Sequence, residues 1–168
     1  MTTATPLRKQ RLSSALKLII AILLCVAIGF TSGLIGSAGM NVWFDRLLKP
    51  SWNPPAYLFA PVWTLLYTLM GIAFWIIWKD EAPEANKGSA YFAFALQLFL
   101  NFWWSIIFFR FQSPFFALIE ILLMWSAILL TIFRFAKMSK TAAWLLVPYL
   151  LWVSFASVLN YTIWSLNN

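Results

Sequence analysis

The sequence contains no histidine, one cysteine (Cys25) and only five carboxylates, Asp45, Asp80, Glu81, Glu84 and Glu120. Imidazole is the commonest metal ligand, axial haem ligand and neutral-pH base, so those chemistries lose their usual carrier. No cofactor is expected, and one thiol cannot build a disulfide framework. Charge is scarce too. Charged residues make up 10% of the 168 positions, whereas a soluble domain carries about 25%. Such a supply cannot coat a water-soluble globule. What the chain has instead is 62% hydrophobic residues and 19% aromatics, including 16 Phe and 11 Trp. Disorder and a coiled coil are excluded by the same numbers, leaving an integral membrane protein.

A bilayer core needs about 20 apolar residues in helical form. Five stretches qualify: Leu18–Ser37, Ala60–Trp78, Ser89–Phe109, Pro114–Phe135 and Ala142–Ser165. They are continuously apolar and do not alternate with period two, which argues against a β-barrel. The expected fold is an all-α bundle of five transmembrane helices over residues 1–168, a single domain with a loop at 38–59. The first stretch also resembles a signal peptide, with Arg8, Lys9, Arg11 and Lys17 before it and Gly36-Ser37-Ala38 after it. Its length, and Gly29, Gly33 and Ser37 at four-residue spacing, favour a retained and closely packed helix.

The net charge of +7 does not point to nucleic acid, because the basic residues stand at the edges of the apolar runs. Nine of them (Arg8, Lys9, Arg11, Lys17, Lys79, Lys87, Arg134, Lys137, Lys140) fall on one side of a five-span topology. Arg46, Lys49 and Arg110 fall on the other. The positive-inside rule then places the N-terminus in the cytoplasm and the C-terminus outside, with loop 38–59 facing outward.

That loop carries Trp43, Phe44, Trp52 and three prolines, Pro50, Pro54 and Pro55, within 13 positions. Prolines restrict the unfolded loop and favour a pre-formed cover, while Trp at that depth equally suits an interfacial belt. On the third stretch Gln97, Asn101, Trp104, Ser105 and Phe108 recur at three- and four-residue spacing. Tyr149, Trp152, Ala156, Leu159 and Asn160 do so on the fifth, and Trp63, Tyr67 and Phe74 on the second. Taken alone, this spacing reads more readily as interhelical hydrogen bonding with Trp filling the core than as a binding cavity. Glu120 is the one carboxylate inside an apolar run, about 9 Å below the outer end of its helix. An intramembrane acid is a functional candidate, and the plainer expectation is a neutral carboxyl hydrogen-bonded to a neighbouring helix.

The run Trp43-Phe44…Leu48-Lys49-Pro50-Ser51-Trp52-Asn53-Pro54-Pro55, then Val62-Trp63-Thr64-Leu65-Leu66-Tyr67-Thr68-Leu69-Met70-Gly71, resembles the translocator protein family. That family is also known as the tryptophan-rich sensory proteins or peripheral-type benzodiazepine receptors. Gln97-Leu98…Asn101-Phe102-Trp103-Trp104-Ser105 and Pro148-Tyr149…Trp152…Phe155-Ala156…Leu159-Asn160 extend the likeness over roughly residues 20–165. The resemblance implies five helices around a cavity roofed by the first loop. It also implies binding of porphyrins such as protoporphyrin IX, of flat isoquinoline- or benzodiazepine-type drugs and, in some members, of cholesterol. Homodimers in the bilayer and a part in tetrapyrrole or stress regulation complete what the resemblance implies, while the N-in topology with a short basic N-terminus suits a bacterial inner membrane. With the resemblance, the cavity becomes the favoured reading. The expected ligand-binding residues are Phe44, Trp52, Pro54, Trp63, Tyr67, Gln97, Asn101, Trp104, Tyr149, Trp152, Ala156 and Asn160. Two departures bear on ligand choice. No Lys or Arg follows Tyr161, so the proposed sterol pattern is incomplete, and Phe44 stands where many relatives have Tyr. Porphyrin degradation by light or oxygen, and a structural partner-binding role, are the competing readings. No residue pattern specifies a reaction.

Overall fold

The computed structural model of the chain describes residues 12–38, 40–80 and 84–168, so Arg8, Lys9, Arg11 and Glu81 lie outside the described residues. Helix α1 spans Ser14–Ser37, and a short helix α2, Asn41–Arg46, follows it. A 3-10 turn at Ala56–Leu58 leads into α3, Phe59–Lys79. Helix α4, Glu84–Ser105, ends in a π-helical turn at Ile106–Arg110. Helices α5 (Pro114–Ala136), α6 (Lys140–Trp144) and α7 (Val147–Leu166) complete the chain. Five segments are long and apolar enough to cross a bilayer, with α6 and α7 forming the last one together.

The local chemistry explains where these elements begin and end. The Ser13 hydroxyl accepts from the Leu16 N–H at 3.2 Å, which starts α1 four residues before the apolar run does. Pro114 opens α5 at a position where its missing N–H costs nothing. The connection before it is tight because Gln112 adopts a left-handed φ of 52°. The sequence reading of one continuous fifth helix needs correction: the chain turns at Leu145–Leu146 between α6 and α7. Pro148 accounts for it, having no N–H to donate and a ring that collides with the carbonyl four residues back, that of Trp144. Nor is 38–59 wholly irregular, since α2 and the 3-10 turn occupy about two fifths of it.

The spans close into a ring. α1 packs on α3 and α4, α4 on α5, α5 on α6 and α7, and α6 on α3. Three glycines permit close approaches, among them Gly36, where a Cβ would collide with the Ser105 hydroxyl. A Cβ at Gly71 would stand 2.6 Å from the Cα of Ile22, and one at Gly29 would overlap the Tyr67 ring. Of the spaced stripe on α1, then, Gly29 packs inside the bundle, whereas Gly33 has open space beside it.

The surface inverts the pattern of a soluble protein. Large apolar side chains such as Leu23, Phe92, Phe116, Leu151 and Val158 point outward, and Gln97, Asn101, Glu120, Thr131 and Asn160 are buried. Hydrocarbon is the solvent that suits that exterior.

Candidate functional site

Buried amides and hydroxyls in hydrocarbon must find partners within the bundle, and here they form two cross-bundle bridges. In the inner one, the Tyr67 hydroxyl of α3 donates to Asn101 Oδ1 of α4 at 2.5 Å. Asn101 Nδ2 donates to the Tyr149 hydroxyl of α7 at 2.9 Å, and that hydroxyl donates to the Met124 sulfur of α5 at 3.4 Å. Four helices are thereby tied at one depth. In the outer bridge, Trp104 Nε1 of α4 donates to Asn160 Oδ1 of α7 at 3.1 Å. Asn160 Nδ2 then donates to the Pro114 carbonyl at the start of α5, at 2.8 Å. That carbonyl belongs to the first residue of α5, so the bond ties α7 to the start of that helix.

Aromatic rings fill the same region. Trp63 stacks on Tyr67 with centroids 5.4 Å apart and meets Tyr149 edge-on at 6.2 Å. Trp152 meets Phe59 at 5.9 Å and Phe155 at 5.5 Å. The loop joins this set from above, where the half-exposed Trp52 sets its ring edge-on to Phe155 at 5.9 Å. A second branch runs from α2. Phe44 contacts Phe109 at 5.3 Å and Phe108 at 6.3 Å, and Phe108 stacks on Trp104 at 5.4 Å. Phe108 and Phe109 both lie in the π turn and meet edge-on at 4.8 Å. Pro54 is half-buried within the loop, and Ala156 is half-buried one turn beyond Trp152.

The loop is fastened at its middle. Asn167, just past α7, accepts from the Leu48 N–H at 2.9 Å and donates to the Leu48 carbonyl at 2.9 Å. Lys49 donates to the Phe44 carbonyl at 2.6 Å and sits 4.3 Å from the Phe44 ring centre. Such a clasp gives the loop a defined seat over the ends of α4 and α7.

Ten of the twelve expected residues thus join the loop, the bridges or the rings between them, and Ala156 packs against the core one turn beyond Trp152. Gln97 is buried one turn inward of Asn101, with neither amide atom hydrogen-bonded among the described residues. Glu120 requires a correction. The expected hydrogen bond to a neighbouring helix is absent, and neither carboxyl oxygen has a partner among the described residues. Phe59, Phe155, Met124 and Asn167 were not foreseen. Phe155 is three residues from Trp152 and was readable from that spacing, while Asn167 lies beyond the last apolar run and gave no signal.

A cleft of about 770 Å³ opens elsewhere, between α1, α3 and α4. Leu24, Ile28, Phe74, Tyr91, Phe94 and Phe102 are among its lining residues, and none of the twelve expected positions is. Phe74, grouped with Trp63 and Tyr67 by its spacing, belongs to this cleft. Among the described residues there is no group of acidic or sulfur ligands able to hold a metal ion.

Comparison with known proteins agrees with this architecture. The model of the TspO/MBR family matches residues 21–165. The tryptophan-rich protein TspO of Chlorobaculum tepidum is 47% identical over 156 residues, covering 90% of this chain and 96% of that protein. The human translocator protein is 37% identical over 127 residues, 75% of each chain. The tryptophan-rich sensory protein of Cereibacter sphaeroides is 36% identical over 125 residues, covering 74% of this chain and 77% of that protein. With five bilayer-length helices, a Trp- and Pro-rich first loop and matches over most of its length, the chain belongs to the TspO/MBR family.

Proposed function

We propose that this membrane protein is a receptor or transporter-like binder of porphyrins, protoporphyrin IX among them, and related flat hydrophobic ligands. The ligand occupies the aromatic region beneath the first loop, and its binding serves sensing or regulation in tetrapyrrole or stress responses. The observation that carries this reading is the convergence of Trp63, Tyr149, Trp152 and Phe155 below Trp52, with the loop clasped above them. A flat ligand binds by face and edge contacts worth about 0.5–1.5 kcal/mol each beyond burial, so several rings in one place are what it needs. Ala156 supplies the small side chain that leaves room for it. The protein acts as a homodimer in a bacterial inner membrane, N-terminus in the cytoplasm, and the loop is a lid on the outer side.

Titration of purified protein with protoporphyrin IX should quench its Trp fluorescence saturably, and Trp63→Phe or Trp152→Phe should weaken binding. Trp52→Ala and Asn167→Ala should raise the porphyrin off-rate with melting nearly unchanged, because they loosen the lid rather than the bundle. Ala156→Leu should block binding by filling the site. Quenching no stronger than with an unrelated helical membrane protein would defeat the proposal.

A further inference from the structure

Glu120 has no place in the hydrogen-bonded bridges, yet the bridges locate it. On α5 the inner bridge ends at Met124 and the outer one at Pro114. Glu120 lies between them, four residues from the first and six from the second. Ala117, Ile121, Met124 and Ile128 share its buried side of α5, which packs against α4 and α7. The residue is 7% exposed, and both carboxyl oxygens lack a partner among the described residues. A buried acid in apolar surroundings without a partner is costly, so a group that brings a proton or a positive charge to it is strongly favoured.

The bundle does not supply that group from the two bridges. Trp104 Nε1 is committed to Asn160, Asn160 Nδ2 to Pro114 and Asn101 Nδ2 to Tyr149. The Gln97 amide sits on the far side of the inner bridge, one turn past Asn101. The helices packed on α5 carry rings at this level: Trp104 of the outer bridge on α4, Tyr149 of the inner bridge on α7, and Trp152 one turn beyond it. A buried acid at the level of such rings is suited to recognise flat nitrogen compounds. The rings take the plane and attract its positive charge, while the carboxyl accepts the N–H.

We infer that Glu120 is a specificity-determining residue of the aromatic site, selecting flat heteroaromatic ligands that present an N–H donor or a protonated ring nitrogen at the depth between the two bridges. This rests on the aromatic site proposed above. The selection is by hydrogen bond and charge, whereas the rings alone hold any flat molecule of suitable outline.

The test uses the full-length protein in uncharged detergent micelles with two probes of nearly equal outline. One is 9-aminoacridine, cationic and bearing N–H donors; the other is anthracene, which has neither. Wild type should bind 9-aminoacridine at least tenfold more tightly than anthracene. Glu120→Gln should lower the 9-aminoacridine affinity about tenfold and leave anthracene unchanged, and Glu120→Asp should recover part of the difference. Equal binding of both probes by wild type, or a loss in Glu120→Gln shared by anthracene, overturns the role of Glu120 while leaving the aromatic site standing. Failure of wild type to bind either probe or protoporphyrin IX overturns both.

Discussion

At the scale of single residues, Asn101 is the side chain on which most depends. It accepts from Tyr67 and donates to Tyr149, so it holds α3, α4 and α7 at one depth. Interhelical hydrogen bonds in membranes average about 0.6 kcal/mol, but removing the shared member leaves two buried hydroxyls without their partner at once. Asn101→Leu should therefore destabilise the protein by about 1–2 kcal/mol in detergent unfolding, and Tyr67→Phe by about 0.6 kcal/mol. The double variant should cost less than the sum, because both changes break the same bond. Equal and additive losses would show that the bridge is not a unit. The spacing of Gln97, Asn101 and Trp104 marks an inward polar face in the sequence. Which partners those amides take is not legible there, since Tyr149 and Met124 come from helices whose neighbours depend on how the ring closes. For the same reason Glu120 reads as a hydrogen-bonded acid in the sequence and proves to have no partner among the described residues.

Helices were the most legible elements, because an apolar run of bilayer length has one way to satisfy its backbone. Their ends were less so. Capping by Ser13 adds a turn to α1 ahead of its apolar run, and Pro148 splits the last span although the apolar run continues through it. Packing contacts were the least legible, as the glycines of α1 illustrate. Gly29 and Gly33 have the same spacing pattern but different surroundings, and the closest backbone approach uses Gly71 of α3 instead. The atom facing Gly71 is backbone, which cannot swing aside. Gly71→Ala should thus push α1 from α3 and cost about 1–3 kcal/mol, the usual range for overpacking. Gly33→Ala meets nothing and should be neutral or stabilising by up to about 1 kcal/mol from helix propensity. Paired thermal melts check this, and a Gly33→Ala loss as large as that of Gly71→Ala would show that Gly33 is in contact after all.

For the whole molecule, the sidedness of the chain follows from charge placement combined with the observed fold. The five spans alternate direction, so the ends of α1, α4 and α7 meet at the face where loop 38–59 is clasped by Asn167. Only Arg46, Lys49 and Arg110 are basic on that face, while Lys17, Lys79, Lys87, Arg134, Lys137 and Lys140 stand at the opposite one. Basic residues near short loops resist export, so the loop face should be external. Cysteine labelling offers a clean check, because the chain's own Cys25 is fully buried and adds little background. A reporter at exposed Ser51 (Ser51→Cys) should react with a membrane-impermeant maleimide on intact, right-side-out bacterial spheroplasts. One at exposed Lys137 (Lys137→Cys) should react only after permeabilisation. The reverse pattern would place the clasped loop in the cytoplasm, and an outward-opening lid would then be untenable. Labelling of both reporters in intact spheroplasts would mean that the charge difference is too small to orient the chain uniquely.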